Sequence, residues 1–158
     1  MDDDMNQEQT PEFQENAQGG DFDLSQVDAA KGANAGFAVE LIHPAKRTPI
    51  LASDETKAWI KILGRHSDKY RKLRKQIDNR RLQQQGGRGK MKVTADELEN
   101  ESIDTLANLI LDWNLPKVDG RILECTYGNA VRLLEDPRFQ WIREQLDETL
   151  NDDANFMS

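Results

Sequence analysis

Apolar side chains change their spacing once along this chain, and that change limits what it can fold into. Phe37, Val39 and Leu41 alternate with Ala38, Glu40 and Ile42; Ala58, Ile60 and Ile62 alternate with Lys57, Trp59 and Lys61. A period of two places one set of side chains on each face of a β-strand. After Ser67 the spacing becomes three and four. Tyr70, Leu73 and Ile77 form one stripe; Ile103, Leu106, Ile110 and Trp113, widened by Leu109, form a second; Phe139, Ile142, Leu146 and Leu150 form a third. That spacing lines one face of a helix. The expected class is therefore α+β: a small antiparallel β-meander plus a basic helix, followed by a short C-terminal helical bundle. A meander of two or three short strands needs a helix on one face to be stable.

Local signals mark the element ends. Pro44 and Pro49 lack the N–H that a central strand needs, so "HPAKRTP" interrupts the meander. Ile50 and Leu51 then read as a short strand closed by the turn "SDET". Ser67 is placed to cap the basic helix with Asp68 in its first turn, and Gly86, Gly87 and Gly89 break it. Thr94 with Glu97 makes a capping box, Thr126 caps a short helix through Val131 and Leu134, and Asp136 followed by Pro137 opens the last helix. The expected organisation is a disordered acidic tail over 1–30, a β-meander and basic helix over 31–85, a glycine-rich linker over 86–93, and a helical domain over 94–158 with a flexible acidic end.

Charge is distributed in blocks. Residues 1–30 carry nine acids and no Lys or Arg; 65–92 carry eleven basic residues against two acids; 93–158 carry five against fifteen. The net charge of −8 repels phosphate on average and argues against a general nucleic-acid binder. One cysteine, Cys125, allows neither an internal disulfide nor a Cys-based zinc site. No apolar run is long enough to span a bilayer, and "MDDDMNQEQT" is unlike a signal peptide, so a soluble, intracellular protein is expected.

Chemistry is hard to find. The run His66, Ser67, Asp68 has the residue types of a triad, but triad members converge from separate segments, and neighbours at a helix start point apart. His43 sits in a Pro-flanked turn, and nothing gives a His-x-x-x-His spacing for a metal. "GGRGKMK" lacks the Ser or Thr after Gly-Lys and the leading strand of a phosphate loop. Pairs such as Asp152–Asp153 and Glu135–Asp136 read as solvated surface or helix caps. No catalytic residue, cofactor site or metal site is expected, and no enzymatic activity.

The basic helix is the strongest remaining feature. Arg71, Lys72, Arg74, Lys75, Arg80 and Arg81 cover most of its circumference. They are suited to tracking nucleic-acid phosphates, but Tyr70 is the only aromatic among them, and base stacking wants more. A solvated helix or a contact with acidic protein is the favoured reading. An embrace by the acidic N-terminal stretch of the same chain is one form of it.

Two stretches together resemble the tail assembly chaperones of long-tailed (siphovirus-type) bacteriophages. The first is "IHPAKRTPI" with "KAWIKILGRHSDKYRKLRKQIDNRRL", a Pro-bounded turn and an apolar strand ending in Leu-Gly before a basic helix. The second contains Asn129, Ala130, Leu133, Leu134, Pro137, Phe139, Trp141, Ile142, Asn155 and Phe156. The likeness covers about residues 37–84 and 113–156; the acidic N-terminal stretch and the glycine linker are not part of it. It implies a protein that coats the tape-measure protein, helps bring it to tail-tube subunits, stays in the host cytoplasm and is absent from the finished particle. It also implies a longer form made by ribosomal frameshifting. Trp141 and Phe156 lie off the regular stripe of the last helix and are the expected contacts to such a client, with Arg71, Lys72, Arg74 and Lys75 as a second partner-binding set. The alternatives are a nucleic-acid-binding regulator acting through residues 65–92, or a structural component of the tail.

Overall fold

Strand β1 (Phe37–Glu40) pairs antiparallel with β2 (Trp59–Ile62), setting Phe37 opposite Ile62 and Val39 opposite Ile60. The alternation expected from the sequence is what buries this sheet. Val39, Ile60 and Ile62 are buried on one face, while Ala38 and Glu40 stay exposed on the other. The computed structural model describes residues 20–85 and 93–157. The parts of the expected tail and linker that fall on 1–19 and 86–92 lie outside the described residues.

The third strand is not where the sequence suggested. Leu51 makes only an isolated bridge to Lys57, with Ile42 to Pro49 alongside, and Ile50 makes none. Pro49 has no N–H to continue a ladder, and the backbone closes instead through Ile50 N–H to Leu41 O and Ala58 N–H to Ile50 O. The third position is taken by β3 (Ile110–Asn114), antiparallel to β2 with Trp113 opposite Ile60 and a bulge beside Lys61 and Ile62. This corrects the expectation that Ile110 and Trp113 continue a helix. Helix α3 (Ala95–Leu109) stops at Leu109, and Ile110 turns to an extended φ of −69° and ψ of 126°. The unpaired edge of β2 offers backbone partners that another helical turn would leave unused. Trp113 then lies buried on the inner face, and its ring N–H donates to the Leu123 carbonyl at 2.8 Å.

Helices cover the inner face. Helix α2 (Asp68–Gln85) follows β2, with Ser67 Oγ accepting the Tyr70 N–H at 3.2 Å as the expected cap. Thr94 accepts the Glu97 N–H at the start of α3. Thr126 caps α4 (Tyr127–Glu135) through the Asn129 N–H. Asp136 and Pro137 open a 3-10 turn, Pro137–Phe139, that runs into α5 (Gln140–Leu150). The stripes Ile103–Leu106–Leu109 and Ile142–Leu146–Leu150 are buried in one cluster with the sheet residues. Gln145 of α5 ties that helix to the chain after β1, accepting the Ile42 N–H at 3.1 Å and donating to the Ile42 carbonyl at 2.7 Å.

Two further expectations are revised at the ends of the described chain. Residues up to about 30 were expected to be disordered, yet a 3-10 turn spans Leu24–Gln26 and α1 (Ala29–Ala35) begins inside that range. Asp28 caps α1 by accepting the Ala30 and Lys31 N–H groups, and Ala33 is buried. The acidic C-terminal end, expected to be flexible, forms a 3-10 turn over Asp153–Phe156 and docks on α1.

Candidate functional site

The residues that invited a catalytic reading are engaged locally. Ser67 Oγ donates to the Gly64 carbonyl at 2.6 Å, Asp68 pairs with Arg71, and His66 Nε2 lies 3.0 Å from Asp153. Each member of "HSD" thus faces a different partner. His43 Nδ1 accepts the Ala45 and Lys46 N–H groups at 3.1 and 3.0 Å, which makes it the cap of the Pro-flanked turn. Cys125 is half-buried, and burial, with Asp112 adding to it, pushes its thiol up and away from a reactive thiolate. Among the described residues no group of three His, Cys, Asp or Glu side chains is placed to hold a metal ion. No helix among them is long and apolar enough to cross a membrane.

The expected partner contacts separate into two kinds. Phe156 is only 5% exposed. Its ring meets Phe37 edge-on with centroids 5.8 Å apart and lies against Gly64. This corrects its place as an offered contact: the side chain is spent on the chain's own core, in a slot that exists because Gly32 and Gly64 have no side chains. Trp141 is half-buried and packs on the core with part of its surface open. Arg71 and Arg74 are tied to Asp68 and Asp78 on their own helix. Lys72 and Lys75 point outward, exposed and without an ion pair among the described residues.

A contact clamp at the end of the chain escaped the sequence reading. Arg65 donates to both Asp153 carboxylate oxygens at 2.8 and 3.1 Å, and His66 adds a third contact. Those bonds, Arg65's first, hold the Asp153 carboxyl well below the usual carboxylate range. Arg138 similarly bridges Asp119 and Asp136 and carries its guanidinium over the Phe139 ring at 4.9 Å. Nothing in the local sequence distinguishes Asp153 and Asp119 from solvated acids, because their partners sit in other segments, whereas Asp136 has Arg138 two residues on.

The surface most suited to another protein lies beside α2. Between α2, α3 and the end of α5 runs a shallow groove of about 240 Å³ with Tyr70, Ile77, Leu106 and Leu150 in its floor. Leu98 lines it at 51% exposure, and Leu82 of α2 is 63% exposed nearby in sequence to Arg81, which bridges to Glu101 of α3. Glu101 and Asp147 stand among the polar lining. The groove thus combines apolar walls, a charged margin and a basic helix on one side.

No family model, curated protein or solved structure matches this chain.

Proposed function

We propose that this chain is a non-catalytic tail assembly chaperone of a long-tailed bacteriophage, holding the tape-measure protein soluble and helping to recruit tail-tube subunits. The observation that carries this is the α2–α3 groove. A floor of Tyr70, Ile77, Leu106 and Leu150 beside an exposed Leu98 suits the apolar stripe of a client helix, since a helix laid in a groove is read through side chains three and four apart. The resemblance adds the identity of the client. Its C-terminal residues from Asn129 to Ile142 run from α4 through the Pro137–Phe139 turn into α5, with Ala130, Leu133, Leu134 and Ile142 buried as the scaffold and Trp141 left partly open.

A second reading rests on Lys69, Lys72, Lys75 and Arg80, exposed cations of α2 without carboxylate partners among the described residues. They suit a nucleic-acid phosphate chain, but Tyr70, the aromatic of that helix, packs toward the core, and the net charge of −8 opposes the approach.

Co-expression with the tape-measure protein of the same phage tests the proposal. The tape measure is expected to stay soluble and to co-purify through moderate salt and nuclease, with Leu98→Ser and Trp141→Ala reducing recovery. A tape measure that precipitates while nucleic acid follows the chain through purification would sink the chaperone in favour of the basic helix. Finding the chain in purified particles would favour a structural tail component.

A further inference from the structure

Helix α2 leaves its cations unequally matched. Arg71, Arg74 and Arg81 face Asp68, Asp78 and Glu101. Lys69, Lys72, Lys75 and Arg80 are exposed and have no ion pair among the described residues. Arg71, Lys72 and Lys75 are neighbours at three- and four-residue spacing on the outward side of the helix, away from buried Ile77. Like charges so placed repel, and a carboxylate-rich segment laid across them relieves that.

The same chain supplies such a segment close by. Residues 1–19 contain Asp2, Asp3, Asp4, Glu8, Glu12 and Glu15 and no Lys or Arg. The described chain starts beside the first turns of α2: Ser25, Val27, Asp28, Ala29 and Ala30 share a cleft with His66 and Arg71. Asn34 of α1 holds that junction by accepting the Asp68 N–H at 2.9 Å. The eighteen residues of α2 extend about 27 Å, and nineteen residues of chain can reach about 60 Å, so the whole basic face is within range. Acids carried on the same chain meet that face intramolecularly, which favours several weak pairs at once over the same acids on a separate molecule.

We propose that residues 1–19 lie on the exposed basic face of α2, over Arg71, Lys72 and Lys75, and cover it in cis. An acidic protein segment from outside gains that face only by displacing the tethered one, so α2 admits strongly acidic protein partners and rejects weak ones. This does not depend on the chaperone reading, whose client occupies the apolar groove.

The test neutralises the six acids in the full chain, Asp2, Asp3 and Asp4 to Asn and Glu8, Glu12 and Glu15 to Gln. Backbone amide NMR signals between Arg71 and Leu82 are expected to shift relative to the natural chain. The difference should fade as salt rises from about 0.05 M to about 0.5 M, where screening shortens the Debye length. A fluorescent polyglutamate peptide is expected to bind the neutralised chain about tenfold more tightly than the natural one at low salt, with Lys72→Gln and Lys75→Gln removing the gain. Unmoved α2 amides, or equal peptide affinity in the two proteins, overturns the covering. If a short oligothymidylate gains affinity while the polyglutamate peptide does not, the partner chemistry assigned to α2 is wrong.

Discussion

Gly32 shows how far a single missing side chain reaches in this fold. A Cβ there would stand 1.5 Å from the Phe156 carbonyl oxygen, although Gly32 lies inside α1, where Ala is otherwise favoured by about 1 kcal/mol. Gly32→Ala is therefore expected to destabilise by about 1–3 kcal/mol, as overpacking does. Gly128→Ala, at an α4 position with nothing within 4 Å of a new Cβ, should stabilise by up to about 1 kcal/mol. Urea midpoints compare the two, and a Gly32→Ala protein as stable as its parent would refute the docking of the C-terminal turn on α1. Asp153 makes the same turn sensitive to acid. Its folded carboxyl is held below the ordinary value of 3.8, so the unfolded chain takes up this proton first. The stability Asp153 contributes is present above pH ~4 and is lost as pH falls from there through the folded value. Asp153→Asn should lower the thermal midpoint near neutral pH and flatten its fall below pH ~4. Asp147 has the opposite sign. Burial raises its carboxyl against the pull of Arg143, so Asp147→Asn should raise the midpoint at neutral pH, where the natural acid is charged and half-buried.

At the scale of elements, what could be read depended on whether the deciding partner was close in sequence. Ser67, Thr94, Thr126 and Asp136 act as caps through N–H groups two or three residues on, and each was visible for that reason. The strands β1 and β2 showed in their own alternation. Strand β3 did not, because Ile110 and Trp113 extend the helical spacing of Ile103 and Leu106; the choice was made by the free edge of β2, far back along the chain. Helix α1 has one buried side chain, Ala33, and no apolar stripe to announce it. Of the expected partner contacts, Phe156 was misplaced because its slot is made by two distant glycines, whereas the outward position of Lys72 and Lys75 followed from the helix pattern alone. If β3 is as integral as its pairing implies, Trp113→Ala should cost about 3–5 kcal/mol, the range for removing a large buried aromatic. Ile122→Ser, at a residue 73% exposed, should change stability by no more than about 0.5 kcal/mol in the same urea titration. Similar losses at both sites would mean that β3 does not anchor the core.

For the whole molecule, the question is whether segments on either side of 86–92 act as one body. Connections of several kinds cross that divide. Strand β3 completes a sheet begun by β1 and β2, Phe156 fills a slot between Gly32 and Gly64, and Arg65 holds Asp153. A single buried cluster runs from Ala33 and Val39 to Leu146 and Phe156. Neither half has its own core: β1 and β2 without β3, α3 and α5 expose Val39, Ile60 and Ile62, and two strands alone are marginal in water. Unfolding should then be one transition. The three tryptophans can report on it separately, since Trp59 lies on β2, Trp113 on β3 and Trp141 on α5. Single-Trp variants, with the other two changed to Phe, are expected to give urea midpoints that agree with far-UV circular dichroism within each variant. Leu146→Ala, a buried truncation on α5 worth about 2–5 kcal/mol, should lower the midpoint seen by Trp59 as much as that seen by Trp141. A Trp59 transition that stays in place while Trp141 moves would show that the N-terminal strands hold together without the helices, and that the shared sheet is a contact between two independent units.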